Sequence, residues 1–114
     1  MHKISYSKEF NKDYVKLRDK ADKGNGEAKY LIELISKATA KLSKDRESGK
    51  HIPKKQWPKE YIQKYGVTNL WKYNLDSYWR LVYTITGTEI DLFLIYLEHM
   101  THKEYDRKFN YKRT

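Results

Sequence analysis

Apolar residues recur along this chain with two different periods. From Phe10 to Leu42 they return every three or four positions: Phe10, Tyr14, Leu17 and Ala21, then Leu31, Ile35, Ala38 and Leu42. Each set falls on one stripe of an α-helix, the arrangement expected of a helix packed against a core. After Thr68 the period becomes two. Trp71, Tyr73 and Leu75 alternate with Leu70, Lys72 and Asn74, and Leu81, Tyr83 and Ile85 alternate with Arg80, Val82 and Thr84. These are strands over 68–75 and 79–86, each with two different faces. Ile90 to Leu97 is almost wholly apolar, as in a strand covered on both faces.

The breaks between these segments have local chemistry of their own. A short strand over His2–Tyr6 leads to Ser7, which can cap the first helix, with Glu9 in its first turn. Lys23-Gly24-Asn25-Gly26 is a turn, and the second helix runs from Glu27 to Leu42. Ser43–Pro58 reads as a polar loop. Pro58 starts a short helix that extends to Tyr65 and stops at Gly66. Leu75-Asp76-Ser77-Tyr78 is a hairpin connection and Gly87-Thr88 a second tight turn. Thr101-His102-Lys103-Glu104 fits a capping box, which predicts a closing helix with His102 in its first turn and Tyr105 one turn on. The tail, Phe109–Thr114, is expected to fray or lie on the sheet. Two amphipathic helices joined by a tight turn form an antiparallel hairpin that must bury its stripes against something else, and with the strands the chain reads as one α+β domain over residues 1–114.

Charge narrows the class of partner. The net charge is +9, with 24 Lys and Arg against 15 Asp and Glu. A polyanion is the natural ligand of such a surface, because phosphate contacts release counterions. An acidic protein would also fit. The chain has no cysteine, which excludes disulfides and thiolate metal sites. The N-terminus is polar, and the longest apolar run, Leu92 to Leu97, is too short to span a bilayer, so a cytoplasmic protein with no membrane partner is expected.

Four residues stand out as chemistry. Arg80, within a strand, offers a rigid planar fork to phosphate. Lys72, on the neighbouring strand, shares its face by alternation. Two cations on one face repel each other unless an anion sits between them. His102 at the helix start can exchange a proton, and Tyr105 can bond a phosphate or stack on a base. Each also has an ordinary use: Arg80 paired with Asp76 or Asp91, Lys72 and His102 solvated, Tyr105 in the core. His99 is a weaker candidate, and His99 with His102 lacks a convincing third metal ligand, so neither a metal nor another cofactor is expected. Two basic segments flank the set. Lys50–Lys64 holds five Lys against one Glu, and His102–Thr114 holds five Lys and Arg against one Glu and one Asp. Lys54, Lys55 and Lys59 beside Trp57 and Tyr61 suit single-stranded RNA, and Arg107 extends the basic surface.

The order strand, helix hairpin, three-stranded meander and short helix resembles the RelE/ParE toxin superfamily over most of the chain. The resemblance is strongest from Asn69 to Arg107, in NLWKYNL, WRLVYTI and HKEYDRKF. It implies a RelE-like α+β fold: an N-terminal strand, an antiparallel helix hairpin packed on a mainly antiparallel four-stranded sheet, and a short C-terminal helix. It also implies the toxin of a type II toxin-antitoxin pair. RelE-type members cut mRNA in the ribosomal decoding site and are silenced by a cognate antitoxin. On that resemblance Arg80 is the arginine that stabilises the transition-state phosphate, and Lys72 is the first of two strand lysines. Asn74 stands at the second position and supplies no charge. Tyr105 falls near a C-terminal tyrosine, and His102 matches a histidine used by some relatives.

These readings combine into metal-independent cleavage. The 2′-hydroxyl attacks its own phosphodiester, and the protein aligns the attack, stabilises the added charge and moves two protons. Two other readings share the fold: a ParE-like inhibitor of DNA gyrase, and a non-catalytic RNA- or ribosome-binding protein.

Overall fold

Strand β1 (Lys3–Tyr6) hands the chain to helix α1 (Lys8–Asp22) at Ser7. The Ser7 hydroxyl accepts the Phe10 amide at 2.9 Å and donates to the Leu97 carbonyl at 2.7 Å, while the Ser7 amide bonds the Tyr96 carbonyl. One residue thus caps the helix, as predicted, and ties the strand end to the sheet. Asn25 caps α2 (Gly26–Lys44) by accepting the Ala28 amide at 2.8 Å. The computed structural model describes residues 3–87 and 92–109. The sequence-based turn beyond Gly87, the possible Asp91 partner of Arg80 and the tail after Phe109 lie outside the described residues.

A five-stranded sheet follows, in the order β1-β5-β4-β3-β2. It comprises β2 (Lys50–His51), β3 (Trp71–Asn74), β4 (Trp79–Gly87) and β5 (Leu92–Thr101). β1 runs parallel to β5, and the other pairs are antiparallel. Four of the strands match the RelE-like expectation. The fifth, β2, lies in the stretch read as a polar loop. It is two residues long, too short to show a period. Gly49 allows it: a Cβ there would collide with the Lys72 carbonyl and the Tyr83 hydroxyl, so only glycine lets the chain approach β3 this closely.

The sheet separates two cores. On one side the helix hairpin contributes Phe10, Leu31, Ile35, Ala38 and Leu42, packed on Leu81, Tyr83, Leu94 and Tyr96. On the other, α3 (Lys59–Tyr65) and α4 (His102–Lys108) cover Leu70, Val82, Leu97 and Met100 with Tyr61, Tyr105 and Phe109. Gly66, at φ 60°, ends α3 in the left-handed conformation that its position requires. Both faces of β3 and β4 follow the predicted alternation. No helix among the described residues is long and apolar enough to cross a membrane.

The pairing of β4 with β5 slips between Val82 and Tyr83. Val82 faces Glu98 and Tyr83 faces Tyr96, so Leu97 is the extra residue of a bulge. Leu97 enters the α3–α4 core, and Glu98 stays on the same side. Its carboxylate accepts the Tyr61 and Tyr65 hydroxyls and pairs with Lys108 at 3.2 Å. Burial, reinforced by Glu98, pushes both tyrosine pKa values far up, so both stay protonated donors. The bulge also resets the alternation downstream: His99 points to the hairpin side and Met100 to the α4 side.

Candidate functional site: a cationic sheet face under the closing helix

The α4 side of the sheet collects three cations from three strands. Lys50 on β2 lies directly opposite Lys72 on β3, and Lys72 lies opposite Val82 on β4, two residues from Arg80. Residues paired across an antiparallel ladder share a face, so all three side chains leave the same surface. Lys72 is half-buried. Burial, and then the charges of Arg80 and Lys50, pull its pKa below the usual lysine value, with Asp106 opposing. Sequence reasoning placed Lys50 in a basic segment but did not link it to Lys72. The link depends on β2, which no periodicity reveals.

Arg80 sits where the β3–β4 turn enters β4. Its Nη1 donates to the carbonyls of Asp76 at 2.9 Å and Trp79 at 3.2 Å. These neutral acceptors orient the guanidinium without cancelling its charge. The alternative use, an ion pair with the Asp76 carboxylate, does not form, although the Arg80 charge still acts on that group. That carboxylate instead accepts the amides of Tyr78 and Trp79, at 2.8 and 2.7 Å, and the Tyr30 hydroxyl at 2.8 Å. Among the described residues no carboxylate forms an ion pair with Arg80.

The closing helix starts at this corner. Thr101 and Glu104 form the full capping box. The His102 amide donates to the Tyr78 carbonyl at 2.7 Å, and its imidazole meets the Tyr78 ring edge-on, with centroids 5.5 Å apart. His102 and Arg80 are thereby anchored to the same four-residue turn. Tyr105 lies deeper than a base-stacking role requires. It is 3% exposed, stacks on Phe109 at 4.6 Å, and carries the Lys72 ammonium 4.9 Å above its ring. Its place beside the cations is as a floor for Lys72, a cation–π contact.

The other nucleic-acid candidates are dispersed. Lys54, Lys55 and Lys59 are exposed just after β2, two strands from β4. Trp57 is partly buried against the second core and donates its indole N–H to the Ile52 carbonyl at 2.9 Å, while Tyr61 is fully buried. Arg107 turns away from Lys72. It lines a cleft of about 780 Å³ between α1 and α4, beside Glu9, Asp13, Glu60 and Glu104. The five carboxylates of the cleft slightly outnumber its four Lys and Arg side chains, so it offers a polyanion no net positive charge.

His99 also reaches this cleft, on the opposite sheet face from Arg80. Its ring lies 5.8 Å from both Phe10 and Trp79, and its Nδ1 is buried with no hydrogen-bond partner among the described residues. Burial lowers its pKa below the usual 6.5, against the opposing charges of Asp13, Glu104 and Glu98. The folded state therefore resists a proton that the unfolded chain accepts below 6.5. Stability is highest above that pH and falls as the pH drops through it, with a slope of up to ~1.4 kcal/mol per unit from one proton. Chemical denaturation between pH 7 and 5 should show a shallower decline for His99→Phe than for wild type. Equal slopes would assign the acid sensitivity to another group.

Comparison with protein families gives a match over residues 4–100 to the family described as the ParE toxin of type II toxin-antitoxin system, parDE. No curated protein and no solved structure matches the chain. With the matched span covering β1 through nearly all of β5, the chain belongs to the ParE toxin family of type II toxin-antitoxin systems, within the RelE/ParE superfamily.

Proposed function

We propose that this toxin is a ribosome-dependent endoribonuclease that cuts mRNA without a metal. The supporting observation is the cation set: Lys50, Lys72 and an Arg80 unpaired with any carboxylate among the described residues, on one rigid face, with His102 anchored to the hairpin turn that also holds Arg80. Like charges placed this close raise the energy of the empty site, and a phosphodiester between them lowers it. Arg80 stabilises the extra negative charge on the phosphorane. Lys72 assists, and its lowered pKa makes it readier than an ordinary lysine to give up a proton. His102 handles proton transfer at the edge of the site. The cut leaves a 2′,3′-cyclic phosphate and a 5′-hydroxyl. A type II toxin also has a cognate antitoxin, which here must neutralise a basic surface.

Ribosomes programmed with a defined mRNA, mixed with the toxin in the magnesium buffer that keeps them assembled, test this directly. Cleaved ends carrying a cyclic phosphate are expected, with no cut at a site bearing a 2′-deoxy nucleotide. The family match favours a second reading, gyrase inhibition of the ParE type. Blocked supercoiling by purified gyrase, with intact mRNA on ribosomes, would select it. RNA binding that weakens steeply with salt, with neither activity, would leave the non-catalytic reading.

A further inference from the structure

We infer that Tyr78 is a nucleobase platform beside the Arg80 phosphate seat, so that the toxin holds the base next to the bond it cuts by stacking. This rests on the reading of the Arg80 face as a phosphodiester site. Tyr78 is 46% exposed at the tip of the β3–β4 hairpin, away from both cores. The turn beneath it is nevertheless rigid: the Asp76 carboxylate holds the amides of Tyr78 and Trp79, and the Tyr78 carbonyl takes the His102 amide. The ring is braced from two directions, edge-to-face with Trp79 at 5.2 Å and with His102 at 5.5 Å. Little freedom remains to be lost when a ligand stacks on it.

The neighbours suggest what stacks there. Arg80 Nη1 bonds the Asp76 carbonyl at the start of the same turn, so a phosphate carrier and an exposed ring are offset by a few residues of fixed backbone. A single-stranded nucleotide presents the complementary pair, a phosphate and a splayed base. A stacked base contributes roughly tenfold or more to binding, whatever its hydrogen-bonding edge. The platform therefore selects for the presence and size of a base, with purines favoured over pyrimidines.

The test uses fluorescein-labelled 2′-O-methyl RNA pentamers, which cannot be cut, with either adenine or an abasic unit at the central position. Anisotropy titration of the wild-type protein should favour the adenine pentamer by about tenfold. Tyr78→Phe should keep that preference and Tyr78→Leu should abolish it, with the salt dependence of binding unchanged in both. Equal binding of the two pentamers by wild type, or a preference that survives Tyr78→Leu, overturns the platform. Cleavage of ribosome-bound mRNA is scored separately. Discrimination between the pentamers in a wild-type toxin that cuts no mRNA would reject the nuclease and retain the stacking site.

Discussion

Arg80→Ala is expected to slow single-turnover cleavage of ribosome-bound mRNA by about 10²–10³-fold, the usual cost of removing a well-placed donor to developing charge. The magnitude follows from how the residue is held. Among the described residues both of its side-chain hydrogen bonds leave from Nη1 and end on neutral carbonyls, so its position is set without an ion pair. Arg80→Lys should recover only part of the rate, because an ammonium lacks the planar fork that spans two phosphate oxygens. The fold should tolerate the change. Losing two hydrogen bonds costs on the order of 1–2 kcal/mol, and relieving repulsion against Lys72 offsets some of it. Denaturation midpoints measured beside the rates separate the two effects. Full-rate cutting by Arg80→Ala would remove the guanidinium from the mechanism.

Phe10→Ala should be the most damaging single change to stability, costing about 3–5 kcal/mol. A domain of this size has about 5–15 kcal/mol in total, so the variant would be close to unfolding at 37 °C. Phe10 is fully buried at the centre of an aromatic cluster, with the rings of Tyr6, Tyr96 and His99 at 4.8, 5.4 and 5.8 Å. It joins α1 to both β1 and β5, and those rings cannot collapse into its space without moving a strand. Urea unfolding measures the loss. A cost below about 1 kcal/mol would mean that the cluster repacks and that Phe10 is not its keystone.

The neighbouring Val15, 56% exposed on the same helix, shows that apolar character alone would not have singled out Phe10. Helical spacing did so: Phe10, Leu31, Ile35, Ala38 and Leu42 all lie in the hairpin-side core. The caps at Ser7 and Thr101 were equally legible, because capping depends on a few residues next to one another in the chain. Arg80 and Lys72 were placed on one face by alternation alone, since a strand has only two faces. Tyr78 went unnoticed for the converse reason. A turn residue has no period, and its exposure depends on what packs over the turn.

Local order therefore determined the helices, the strands of the meander, their faces and the net positive surface, each through interactions spanning a few residues. Contacts between distant residues decided the rest. The Leu97 bulge turned His99 away from Arg80 and brought Met100 opposite it, and no one-strand pattern records where a partner strand slips. Gly49 let Lys50 close against Lys72 across an intervening helix, and the stacking of α4 on the sheet made Tyr105 a buried floor for that lysine. Periodicity reports which side of its own element a residue occupies. Which side chains then meet depends on register and packing, which only the folded chain sets.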